Sequence, residues 1–141
     1  MAKFTEEQLD RIWGKGLTDS RFDASSIRKD ACGAWIIRDK YGDKESPFGW
    51  EVDHIYPEGK LKDLQVPEEL IDNINNLRPL NWKNNASKGS DYPHYQSKVK
   101  ASTFNDSKGN VFDFNIDCED EKEINDEIQR QIEELFKGYR L

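Results

Sequence analysis

The chain has 141 residues, long enough for one domain with a modest core, and its 35% hydrophobic and 35% charged residues make that core lean and the surface polar. Sixteen aromatic residues exclude disorder, the absence of a long apolar run excludes a membrane span, and Met1-Ala2-Lys3-Phe4 opens no apolar leader, so a soluble cytoplasmic protein without a membrane partner is expected. A net charge of −7 argues against a strong non-specific nucleic-acid clamp, but it is unevenly spread: residues 1–110 hold 17 Lys+Arg against 18 Asp+Glu, and residues 111–141 hold 4 against 10.

In chain order, Thr5-Glu6-Glu7-Gln8 reads as a capping box opening a helix through about Trp13, with Leu9, Ile12 and Trp13 on its apolar side and Gly14 and Gly16 behind it. Ser25-Ser26 reads as the cap of a second short helix, Ile27 to about Ala31. Ala34–Arg38 and Phe48–His54 read as strands, joined into a hairpin by a long loop through Tyr41-Gly42-Asp43 and Ser46-Pro47. Pro57 and Gly59 open a loop, and Val66-Pro67-Glu68-Glu69 starts a short helix with Leu70 and Ile71. Leu77–Leu80 is a short strand, with Pro79 marking an edge or an end. Asn81 caps a helix that runs to Lys88 and stops at Gly89. Val99–Phe104 pairs with Val111–Ile116 across Asp106–Asn110. Ile124, Ile128, Ile132, Leu135 and Phe136 follow helical spacing and predict an amphipathic helix over about 120–137, with the acidic run Asp117–Glu121 as its solvated lead-in.

The chemistry is concentrated in three short stretches. Trp50-Glu51-Val52-Asp53-His54-Ile55 places an Asp-His pair at the end of a strand. Asn76 follows His54 by 22 residues, in Asn76-Leu77-Arg78-Pro79-Leu80, and Asn85 follows Asn76 by nine, in Asn84-Asn85-Ala86-Ser87-Lys88. Phosphodiester hydrolysis needs an aligned nucleophile and stabilisation of charge on the phosphoryl oxygens. Asp53 and Asn85 offer the oxygen ligands that hard divalent cations prefer. Histidine as a residue type has a reference pKa near neutrality, which suits His54 to the role of general base for water. Successive side chains of a strand point to opposite faces, so Asp53 and His54 share a site only where the strand ends or bends. Asn76 cannot exchange protons, and its expected work is to bond backbone groups of the 56–75 loop.

Asp53-His54-Ile55, Asn76-Leu77 and Asn85 with Lys88 resemble the HNH endonucleases, with Asn in place of the last His, and Arg28–Trp35 is similar to the lead-in of small bacterial HNH proteins. The resemblance covers about residues 48–90. It implies an α+β fold: a ββα-metal (HNH) catalytic unit, core about 34–90, with flanking N-terminal and C-terminal helices in one domain of residues 1–141. It also implies cleavage of DNA, with RNA the lesser candidate, by water that His54 activates. Asp53 and Asn85 would bind one Mg²⁺ or Mn²⁺, Asn76 would order the loop, and Lys88 and Lys83 would contact DNA phosphates. Many members carry CxxC pairs on structural zinc. Asn81 and Asn84 occupy two such positions, and Cys32 and Cys118 form no pair, so no structural zinc is expected, and Trp50, Trp82 and Leu80 hold the unit by packing.

Two other readings stand beside this one. The acidity suits a non-catalytic binding or inhibitory protein on a nuclease-like scaffold. The lack of a zinc finger or helix-turn-helix suits a nuclease subunit, or a small RNase, that depends on a protein partner or a second copy. Phage, mobile-element and defence settings all fit.

Overall fold

The computed structural model describes residues 3–141 and is an α+β arrangement of short helices around three separate antiparallel strand pairs. Helix α1 (Glu6–Trp13) starts as its sequence dictates, with Thr5 and Gln8 closing a reciprocal capping box. Its apolar side, Leu9, Ile12 and Trp13, is buried.

The next segment departs from expectation. Ile27–Lys29 is a strand (β1), not a helix, and it pairs with β2 (Trp35–Ile37). The serines expected to cap a helix are instead part of a turn, in which Asp23 accepts from the Ser25 backbone at 2.9 Å and its hydroxyl at 2.8 Å. Strand β2 pairs with β1, and Trp50–His54 with Leu77–Asn81, so the expected hairpin over 34–54 does not form. Strand β3 (Trp50–His54) pairs with β4 (Leu77–Asn81) across a connection holding two short helices, α2 (Glu58–Asp63), expected as loop, and α3 (Glu68–Ile71).

Pro79 sits opposite Val52 within this pair. The Asn81 amide points outward to Asp30, and N–H groups alternate sides along a strand, so the Pro79 nitrogen lies on the unpaired edge and removes no ladder bond. Strand β4 runs directly into α4 (Trp82–Lys88). The Asn81 side chain accepts from the Lys83 amide, and Gly89, at φ 51°, ends the helix.

Strands β5 (His94–Asn105) and β6 (Val111–Glu123) form a long hairpin whose centre matches expectation and whose length does not. The acidic run is strand, so the last helix, α5, begins only at Asp126 and ends at Leu135. Two apolar clusters flank the β3–β4 pair. One joins α1 to Ile36, Trp50 and Leu77, and the other gathers Ile55, Leu61, Ile71 and Leu80 under Ile124, Ile132 and Phe136. No helix is long and apolar enough to cross a membrane among the described residues.

Gly49 fixes the entry to β3. A Cβ there would lie 1.9 Å from the Asp43 carbonyl oxygen, and the Gly49 carbonyl accepts from the Trp82 amide at 3.2 Å. Backbone cannot yield as a flexible side chain does. Gly49→Ala is expected to destabilise the protein by about 2–3 kcal/mol, read as a lower urea midpoint. An unchanged midpoint would mean that the 43–49 turn is not held against β3.

Candidate functional site

Helix α4 lies across the face of β3 that carries Glu51 and Asp53. Asn85 Nδ2 donates to Glu51 Oε1 at 3.0 Å, leaving Oδ1 as the amide's ligand atom. Lys88 Nζ is 3.2 Å from Asp53 Oδ1 and donates to the His54 carbonyl at 3.2 Å, while Arg78 Nε donates to Asp53 Oδ2 at 2.8 Å. All three charged groups are buried. Burial pushes the Lys88 ammonium below its usual range, and Arg78 adds to that, although Asp53 pulls the other way. Burial also opposes the Arg78 charge, but Asp53 and Tyr95 outweigh it and hold the guanidinium firmly protonated. Lys88 is therefore buried as an internal counter-ion of Asp53, at the position where the resemblance implies a contact to a DNA phosphate. The reason is visible in α4 itself: Trp82–Lys88 has no apolar stripe, so its inward face is polar, with Asn84 and Lys88, four apart, both buried.

His54 turns towards the connection. Its Nε2 is 2.7 Å from Asp72 Oδ1 and 3.8 Å from Glu58 Oε2. Lys3 binds both carboxylates, hydrogen-bonded to Glu58 and 3.5 Å from Asp72. Partial burial alone would raise the Glu58 carboxyl, but Lys3, His54 and Lys62 together bring it below the ordinary range, so it is ionised at neutral pH. In the neutral tautomer whose Nε2–H donates to Asp72, the lone pair is on Nδ1.

Asn76 is fully buried and spans the connection. Its Oδ1 accepts from the Tyr56 amide at 2.8 Å, and Nδ2 donates to the Tyr56 and Ile71 carbonyls at 3.2 and 3.0 Å. It thereby sets where α2 and the end of α3 stand against β3. Asn76→Ala would leave three backbone groups unpaired, two of them only partly shielded. About 2–4 kcal/mol of stability and faster amide exchange over 56–76 are expected. Exchange unchanged in that segment would show that the loop is held by packing alone.

Asp53, His54 and Asn85 line one cleft of about 220 Å³ together with Glu58 and Gly89. No sharp bend brings the Asp-His pair together. Asp53 faces α4, His54 faces the connection, and the cleft wraps the end of the strand between them. The donor types of Asp53 and Asn85 fit a hard divalent cation, on the condition that it takes Asp53 Oδ1 from Lys88. Lys83 does not reach this cleft. It lies over Trp82 and lines a separate groove between α4 and the β5–β6 hairpin.

Sequence reasoning missed four residues that matter here. Glu58 and Asp72 reach His54 only because of how 57–76 folds, and nothing in the sequence around Arg78 marks it as the partner of Asp53. The fourth, Asp30, lies under the site. Its Oδ1 accepts from the Cys32 and Ala34 amides, both at 2.9 Å, and its Oδ2 from the Asn81 amide at 2.9 Å and Asn84 Nδ2 at 3.0 Å. Asn84 in turn accepts from Lys98 and Val99 and donates to the Val99 carbonyl. A buried carboxylate and the Asn84 carboxamide thus join the β1–β2 turn, the start of α4 and strand β5. Neither a family model nor a curated protein nor a solved structure matches the chain.

Proposed function

We propose that the chain is a metal-dependent HNH-type endonuclease that hydrolyses DNA phosphodiester bonds at the cleft around His54. The observation that carries this reading is the convergence of Asp53, His54 and Asn85 on one cleft at the end of β3, with Asn76 tying down the connection beside it.

In this reading His54 Nδ1 accepts the proton of the attacking water. Asp72, on Nε2, keeps the ring in the required tautomer and stabilises the imidazolium that results. Asp53 and Asn85 would hold one Mg²⁺ or Mn²⁺, which when bound supplies positive charge to the phosphoryl and leaving oxygens. Arg78 fixes the direction of Asp53 by donating to one of its oxygens, and Lys88 holds the other oxygen in the absence of a cation. Glu51 turns the Asn85 amide by accepting from its nitrogen.

The test is incubation of the pure protein with labelled DNA and RNA duplexes and single strands in Mg²⁺, in Mn²⁺ and in EDTA. Cleavage of DNA in either metal and none in EDTA is expected. Cleavage that persists in EDTA would refute the metal role, and cutting confined to RNA would refute the substrate.

One observation favours a second reading, that of a nuclease subunit working with a partner. Phe104, Phe112, Phe114 and Ile116 are all exposed on the β5–β6 hairpin, and register places Phe104 beside Phe112 on one face. Apolar side chains gathered this way on a polar chain suit a protein contact. DNA cleavage that appears only when cell lysate is added would support that reading, and robust cutting by the pure protein would remove it.

A further inference from the structure

Two groups of opposite charge balance flank the cleft. On the α4 side, Asp53 is compensated by two buried cations, Arg78 and Lys88. On the connection side, His54 Nε2, a Glu58 oxygen and an Asp72 oxygen lie within 4.8 Å of one another and bring two negative charges with a single imidazole. The three ligands come from three places: the end of β3, the first turn of α2 and the residue after α3. Asn76 ties those places together through Tyr56 and Ile71. A cation already occupies the group, since the Lys3 ammonium contacts both carboxylates. Lys3 lies outside the helices and strands and its side chain is partly exposed, so it can leave without disturbing the core.

We propose that His54, Glu58 and Asp72 form a binding site for a borderline transition-metal ion, Zn²⁺ above all, and that this ion switches the nuclease off by capturing its base. One nitrogen and two carboxylate oxygens, with a water at the fourth corner, match zinc coordination. Bonds of about 2.0–2.2 Å put donor atoms about 3.3 Å apart on a tetrahedron. The present separations from Nε2, 2.7 Å to Asp72 and 3.8 Å to Glu58, lie on either side of that spacing, so small side-chain rotations suffice. Imidazole favours Zn²⁺ over Mg²⁺, which keeps to oxygen ligands, so the two ions sort themselves between the two sides of the cleft.

The inhibition follows from the tautomer. Zinc takes the Nε2 lone pair, and the single proton of the neutral ring then resides on Nδ1. That atom no longer has a lone pair with which to accept a proton from water. The metal site stands on geometry alone, while the inhibitory half rests on the endonuclease reading.

The experiment is calorimetric titration of the full chain with ZnCl₂, in a Cys118→Ser background that removes the half-exposed thiol as a competing ligand. Plasmid cleavage in excess Mg²⁺ is measured across the same zinc range, and circular dichroism checks the fold of each variant. One zinc per chain at micromolar affinity or tighter is expected. Glu58→Gln and Asp72→Asn should each weaken it at least ten-fold, Lys3→Gln should tighten it several-fold, and cleavage should fall at the zinc concentration that fills the site. Absence of stoichiometric binding, or binding that ignores both carboxylate substitutions in folded protein, would overturn the site. Binding with the expected residue dependence but undiminished cleavage would overturn the switch. That same binding in a protein that cuts nothing in any metal would leave the site standing and defeat the nuclease reading.

Discussion

His54→Ala is expected to lower metal-dependent DNA cleavage by about 10²–10⁴-fold, the range a positioned general base contributes. That corresponds to about 2.7–5.5 kcal/mol of transition-state stabilisation. The protein should nevertheless remain folded. His54 sits at the edge of the cleft and outside both apolar clusters, and its one side-chain bond is to Asp72, which Lys3 also contacts. About 1 kcal/mol of stability is at stake, far less than the activity effect. Added imidazole should restore part of the rate in His54→Ala, because the cleft left by the ring can admit a free base. A variant that melts like wild type and cuts at the wild-type rate would remove His54 from the mechanism. A variant that is inactive because it is unfolded would instead show that Asp72 and Glu58 need the ring to coexist.

The largest effect on stability is expected from Asp30→Ala. It would leave two backbone amides of the 30–34 turn, the Asn81 amide and the Asn84 carboxamide without acceptors in the interior. Each buried donor left unpaired costs about 1–3 kcal/mol. Relaxation and water entry recover some of that, so about 3–5 kcal/mol is expected, a large part of the stability of an ordinary domain. Asp30→Asn is not a remedy, because a carboxamide nitrogen would then face one of the two donor pairs. Burial opposes the Asp30 charge and raises its carboxyl above the usual range, with the four donors pulling back. Urea unfolding followed by circular dichroism reads the result. A loss under 1 kcal/mol would mean that the β1–β2 turn and α4 are joined by packing and not by this carboxylate.

What could be read from the sequence follows from how local each signal is. Helix α1 is legible because Thr5 and Gln8 complete a capping box within four residues, and α4 because Asn81 and Gly89 bracket it. Strand β1 is not legible because its pairing with β2 outweighs a weak serine cap, with Asp23 holding the turn instead. The hairpin extends into Asp117–Glu123 because an open two-stranded ribbon leaves those residues mostly in water, where strand and loop look alike in sequence. Within the site, Asp53, His54, Asn76 and Asn85 are legible as a set of spaced residue types. Lys88 misleads, since a lysine one turn beyond Asn85 looks solvated until α4 is seen to bury a polar face. Glu58 and Asp72 carry no mark at all, because only the folded 57–76 connection brings them to His54.

Whether His54 drives metal-dependent cleavage is read from a time course of supercoiled plasmid with wild type and His54→Ala side by side in Mg²⁺, with melting curves of both. Wild type should give relaxed or linear product, the variant none above background, and the two should melt closely alike. Equal cleavage by the two folded proteins, or none by either in Mg²⁺ or Mn²⁺, would contradict the proposed mechanism.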